Sequence, residues 1–227
     1  MLCVMNFKTK MPIKSQLKMM KEIEQNQFQP RLLVAPSILE PNHYSNFEIV
    51  SQDLTTKART VGEIPDNALK YYGIKYAFIG HIERRTMLKE DYDVINNKLQ
   101  NAIRNGITPI ITVGLSGDQP SKIINEFNQI VQKVDLNHHK IIVAWESMAS
   151  DKAGKQMYTN PEAKNIFSTI RKRLDQYNGI QYQLLLGGHV EADEAKLSKE
   201  IGIDGVLIGD RFRTFASLKP ILDGLSD

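Results

Sequence analysis

Cysteine is nearly absent: Cys3 is the single one in 227 residues, which excludes an intrachain disulfide and any cysteine-rich metal site. A lone thiol of this kind is expected in the core and suits a reducing cytoplasm. No apolar stretch reaches 18 residues, so no membrane-spanning helix is expected. The N-terminus has no charged lead followed by an apolar run, which argues against a secretory leader and for a soluble cytoplasmic protein. Charge of one sign is lacking too. The 29 basic and 26 acidic residues are interspersed, so the net charge of +3 gives no nucleic-acid surface and only a mild bias toward anionic substrates. The longest basic cluster, Arg171-Lys172-Arg173, lies in an apolar-periodic stretch and reads as the solvated face of a helix. No linker, low-complexity tract or highly charged segment interrupts the chain, and one domain over residues 1–227 is expected.

What is present is alternation. Eight short apolar or β-branched runs read as buried strands: Leu2 to Met5, Arg31 to Ala35, Glu48 to Gln52, Tyr76 to Ile79, Thr108 to Val113, Lys140 to Trp145, Gln183 to Leu186 and Gly205 to Ile208. Helical periodicity fills most of the gaps, clearest over Asp91 to Asn105 and Ser121 to Val134. Parallel strands joined by helical crossovers, eight times over, predict an α/β fold of the closed (β/α)8 barrel type. The crossover from Arg31 to Glu48, with Pro36, Pro41 and Asn42, has room for a turn or two of helix at most. A doubly wound open sheet would also alternate, but it does not require eight strands, and no G-x-G-x-x-G follows the first.

In such a barrel the chemistry gathers where strands end. Those positions carry Asn6 and Lys8, then Gly80-His81-Ile82-Glu83-Arg84-Arg85, then Glu146, Gly187-Gly188 and Gly209-Asp210. Together with Gly106 to Ile110, Val113-Gly114 and Ala144-Trp145-Glu146, this ordered set resembles the triosephosphate isomerase family over nearly the whole chain.

The resemblance implies interconversion of glyceraldehyde 3-phosphate and dihydroxyacetone phosphate, a step of glycolysis and gluconeogenesis, in a cytoplasmic homodimer that needs no metal or organic cofactor. It implies Glu146 as the base that takes a proton from carbon. His81 would be the neutral imidazole that polarises the carbonyl, and Lys8 the cation facing the developing oxyanion. The pairing of a Glu base with a neutral His belongs to this family and is carried over with the resemblance. Asn6 would position Lys8 and the substrate, and Glu83 would support from behind. The phosphate would be bound by Gly154, Gly187, Gly188, His189, Gly209 and Asp210.

Several positions depart from the family pattern. His189 stands where a serine is usual, and Asp210 follows Gly209. A carboxylate about 5 Å from a phosphate dianion, at an effective dielectric of about 20, is repelled by several kcal/mol. Ser147 replaces the proline after the Glu, and Lys152 replaces the first glycine of the closing loop, whereas Gly154 is kept. The stretch from Gln52 to Glu63, with Thr60 near its tip, is about two residues shorter than the loop that reaches a partner subunit in the family. Two alternatives follow: an isomerase of another small sugar phosphate, and a non-catalytic barrel kept for binding. His43, His138 and His139 have no comparable context.

Overall fold

Each apolar run becomes a parallel strand, because Val, Ile and Leu at consecutive positions bury one face inside a barrel and the other under helices. In a computed structural model the protein is described over residues 1–39, 43–56, 60–149, 157–209 and 212–226. The strands are β1 (Leu2–Asn6), β2 (Arg31–Ala35), β3 (Glu48–Ser51), β4 (Tyr76–Ile79), β5 (Thr108–Val113), β6 (Lys140–Glu146), β7 (Gln181–Gly187) and β8 (Gly205–Ile208). They pair in chain order, and β8 closes on β1 with Gly205 opposite Leu2, giving the (β/α)8 barrel. β7 starts two residues ahead of the expected run, because Gln181 and Tyr182 pair with Lys140 and Ile141.

The helices among the described residues are α1 (Ile13–Glu24), α2 (Asp66–Tyr71), α3 (Ile82–Met87), α4 (Tyr92–Arg104), α5 (Pro120–Val131), α6 (Asn160–Leu174), α7 (Ala192–Glu200) and α8 (Phe215–Leu225). Local chemistry sets several starts. Asp91 accepts the Val94 N–H at 2.8 Å ahead of α4, and Thr159 with Glu162 forms a capping box ahead of α6. α5 opens on Pro120, whose missing N–H costs nothing in a first turn.

The crossover from β2 to β3, whose length and prolines left room for a turn or two of helix at most, contains none among its described residues. Its backbone groups find side chains of α1 instead. Gln16 donates to Ser37 Oγ and accepts the Ser37 N–H, while Glu24 accepts the N–H groups of Ser45 and Asn46. Two helices, α3 and α4, occupy the β4 to β5 crossover.

The period-2 alternation of strands divides the core in two. Leu2, Val4, Leu33, Val50, Phe78, Ile110, Ile142, Ala144, Leu185 and Leu207 fill the barrel, and Cys3, Met5, Val34, Ile111, Val143 and Leu186 pack outward with the helices. Cys3 is the buried core thiol that the sequence suggests, and burial pushes its pKa up to about 12. Arg171 and Lys172 are exposed on α6, whereas Arg173 is half-buried, bonded to Asn128 and 4.7 Å over the Tyr177 ring. No described helix is long and apolar enough to cross a membrane.

One ionic cluster lies beneath the rim. The fully buried Lys98 ammonium contacts Asp53, Glu63 and Glu90, and Arg84 adds contacts to Asp53 and Glu90. Burial works against the charge on Lys98, but Asp53 and its neighbours more than offset this and hold the ammonium pKa above its ordinary range. These three carboxylates are close enough to hold a metal ion, yet the Lys98 nitrogen already stands among them.

Candidate active site

The inward positions of β1 run Leu2, Val4, and those of β6 run Ile142, Ala144, so the next inward position at the C-terminal mouth is Asn6 on one strand and Glu146 on the other. Asn6 and Glu146 are polar groups delivered by the same alternation that packs the core. On β7 and β8 the series Leu185 and Leu207 continues to Gly187 and Gly209, which present no side chain. Gly187 is the register partner of Glu146.

Lys8 adopts a positive φ of 50°, costly for a residue with a side chain and held here by its surroundings. Its N–H donates to Asn6 Oδ1 at 3.0 Å, and its carbonyl accepts Gln52 Nε2 at 3.2 Å. The same Gln52 nitrogen donates to Ala35 O, so β1, β2 and the end of β3 jointly fix this turn. The Lys8 ammonium pairs with Glu83 Oε1 at 2.6 Å, and a Cβ added at Gly209 would lie 3.5 Å from Nζ. Asn6 thus holds the Lys8 backbone and Glu83 its ammonium.

His81 caps α3, its Nδ1 accepting the Glu83 N–H at 3.3 Å. A ring nitrogen that accepts carries no proton, so this bond selects the tautomer with its proton on Nε2. The ring meets Phe78 edge-on, with centroids 5.6 Å apart. Nε2 lies 3.4 Å from Glu146 Oε1, close but outside hydrogen-bond alignment. Among the described residues, that buried oxygen has no hydrogen-bond donor, which leaves its lone pairs for an incoming proton. A cleft of about 290 Å³ opens against Asn6, Lys8, Gln52, His81 and Glu83, so one pocket reaches two of the three expected catalytic side chains.

Gly188, with φ 96°, follows the end of β7. The next residue, His189, is tied to Glu191 at 2.9 Å, and Glu191 itself caps α7. Lys152, Gly154 and Asp210 lie outside the described residues. Thr60 bonds to Thr55 of its own loop, and the Thr55 N–H donates to Ile64 O, so the base of that short loop closes on itself.

Three features of the site had no signal in the sequence. Asp118, after β5, accepts from both neighbours of Glu146 in the chain: Trp145 Nε1 at 3.1 Å and Ser147 Oγ at 2.6 Å. The buried Glu126 accepts the N–H groups of Gly114 and Ser116 and pairs with Arg85, bracing the same loop. Gln52 is the third. Each acts through bonds between segments distant in sequence, which no local motif records.

The chain matches the family model "Triosephosphate isomerase" over residues 1–224. It is 31% identical over 192 residues to the triosephosphate isomerase of Synechococcus sp. (strain JA-2-3B'a(2-13)), covering 81% of this chain and 72% of that one. To the triosephosphate isomerase of Mycoplasmopsis pulmonis (strain UAB CTIP) it is 33% identical over 174 residues, covering 73% and 67%. To that of Shewanella loihica (strain ATCC BAA-1088 / PV-4) it is 34% identical over 161 residues, covering 65% of this chain and 61% of that relative. With an eight-stranded closed barrel and a family match over almost its full length, the chain belongs to the triosephosphate isomerase family.

Proposed function

We propose that the protein interconverts glyceraldehyde 3-phosphate and dihydroxyacetone phosphate through an enediolate, without a cofactor. The observation that carries this reading is the approach of His81 Nε2 to 3.4 Å from Glu146 Oε1, with Lys8 on the same rim. Glu146 takes a proton from the carbon beside the carbonyl. The released electron pair forms the enediolate double bond while the carbonyl π pair moves onto oxygen. His81 donates its Nε2–H toward that oxygen, and Lys8 faces its negative charge. His81 gives that oxygen its Nε2 proton and takes up the proton of the neighbouring hydroxyl, whose oxygen becomes the new carbonyl as the proton held by Glu146 is returned to the former carbonyl carbon. Asn6 and Glu83 hold Lys8, and the loops at Gly154, Gly187, Gly188, His189, Gly209 and Asp210 are assigned to the phosphate. A coupled assay of triose-phosphate turnover, run beside Glu146→Gln and Glu146→Asp, tests the reading. A parent protein with no detectable turnover sinks it.

One observation favours a second reading, isomerisation of a different small sugar phosphate. His189, in the expected phosphate loop, is already engaged by the carboxylate of Glu191. A substrate panel decides between the two, since the second requires four- or five-carbon sugar phosphates to outperform the trioses.

This reading also includes a cytoplasmic homodimer. Exposed Val61, Met87 and Leu88, the last two against the active-site cleft, support a contact with a second copy. Sedimentation at micromolar concentration tests it, and a single species of 25.8 kDa would refute it.

A further inference from the structure

We infer that Asp118 is a positioning residue for the catalytic carboxylate, acting as a two-point clamp on the residues either side of Glu146; this rests on the function proposed above. The two oxygens of one carboxylate are divided between two donors, Oδ1 to the Trp145 indole N–H and Oδ2 to the Ser147 hydroxyl. Trp145 and Ser147 are the immediate neighbours of Glu146, so holding both leaves the peptide units of Glu146 little freedom to rotate. Charge-assisted bonds of this kind are stronger than neutral ones, and both lie at the well-packed end of β6.

The surroundings make the clamp rigid. Trp145 is fully buried, with the Tyr158 ring 4.9 Å and the Phe167 ring 5.7 Å from its own. On the other side, the loop that carries Asp118 is anchored by Glu126, which accepts the Gly114 and Ser116 N–H groups. Gly114 also presses on the clamped segment, since a Cβ there would lie 2.1 Å from the Glu146 carbonyl oxygen. The end of β5 and the loop after it are thereby built against the backbone of Glu146. The Glu146 side chain is only loosely tethered, since Oε1 accepts no hydrogen bond among the described residues and meets His81 Nε2 at 3.4 Å. Its aim toward a substrate carbon is therefore set through the backbone, and the backbone is set by Asp118.

Ser147 gives the clamp its second point. A residue without a hydroxyl at that position would leave Asp118 with the indole alone, so the pairing of Asp118 with Ser147 is a device of this chain's own sequence.

Trp145 is the chain's single tryptophan, so its indole N–H gives one resolved signal in an amide-correlated nuclear magnetic resonance spectrum. Asp118→Ala, Asp118→Asn and Ser147→Ala should be compared with the parent by that signal, by kcat and KM separately, and by thermal melting. In Asp118→Ala the indole proton is expected to move upfield as its bond is lost. kcat should fall roughly tenfold to a hundredfold while KM stays within about twofold, the signature of a misaimed base. Asp118→Asn, which retains an acceptor for the indole and a polar partner for Ser147, should recover part of kcat. Ser147→Ala should shift kcat in the same direction by a smaller factor. An unmoved indole signal in Asp118→Ala, a wild-type kcat in that variant, or a loss confined to KM would each overturn the inference. Should Asp118→Ala fail to fold, the Asn and Ser147→Ala variants carry the same comparison. If the parent lacks isomerase activity, the functional reading fails by itself, and the indole signal alone decides whether the clamp exists.

Discussion

Gly187 lies directly across from Glu146 in the barrel, and a Cβ atom at Gly187 would come 2.7 Å from Glu146 Cγ. The glycine thus makes room for the carboxylate side chain as well as opening the loop that follows. Gly114, just past the end of β5, confronts the backbone of the same residue, so Glu146 is seated between two glycines at which an added Cβ would collide with it.

Gly187→Ala is expected to displace Glu146 more than it disturbs the fold, because the nearest atom is a side-chain carbon that can rotate away, while the backbone oxygen of Trp145, at 3.3 Å, has to yield only slightly. kcat should fall about a hundredfold, in line with a misplacement of about 1 Å, and the melting temperature should change by only a few degrees. Steady-state kinetics beside calorimetry check this. A variant with parental kcat would show that Glu146 tolerates the shift.

Gly114→Ala should behave oppositely, losing stability first. Its φ of 125° is unfavourable for alanine, and the obstructing atom is the backbone carbonyl of Glu146, which cannot swing aside. Backbone strain of this kind costs about 1–3 kcal/mol, and the collision adds to it. A urea midpoint equal to the parent's would contradict the geometry.

Arg85→Leu should be among the most destabilising substitutions near the site. It strands the fully buried carboxylate of Glu126, whose other bonds hold the loop of Gly114 and Ser116. Removing one member of a buried pair costs about 3–5 kcal/mol, which for a domain of this size lowers the melting temperature by about 10 °C. Replacing Glu126 as well should not recover that loss, because it leaves the Gly114 and Ser116 N–H groups without their acceptor, and a double-mutant cycle measures the coupling.

Cys3 makes a contribution that depends on alkaline pH. Burial raises its pKa from the ordinary 9.0 to about 12, so the folded protein keeps its proton where the unfolded chain releases it. The contribution is complete below pH 9.0 and is lost as pH rises toward about 12. Denaturation midpoints between pH 8 and 11 should therefore fall more steeply for the parent than for Cys3→Ala. The thiol should react with a disulfide reagent only after unfolding. Rapid reaction in the folded protein would refute its burial.

Much of the architecture was legible in the order of residues. β2, β4, β5 and β8 begin and end at the residues that the apolar runs mark, because a strand buried on both faces announces itself by composition alone. That little helix could fit between β2 and β3 followed from a short, proline-bearing crossover, and none occurs among its described residues. Asn6, Lys8, His81 and Glu146 stood out because each stands at or just past a strand end in a familiar sequence context. The extension of β7 to Gln181 did not, since polar Gln181 and Tyr182 join the sheet only by pairing with Lys140 and Ile141.

By itself, then, the sequence determined the barrel, its eight strands and the family, since these follow from periodicity, crossover length and motif order, all local quantities. Only the tertiary structure decided what surrounds the expected catalytic carboxylate: the room at Gly187, the pressure from Gly114, the clamp of Asp118 on Trp145 and Ser147, and the hold of Gln52 on Lys8. These relationships join segments separated by tens of residues. They arise from closing the sheet into a barrel, which brings strand ends together at distances that no spacing along the chain encodes.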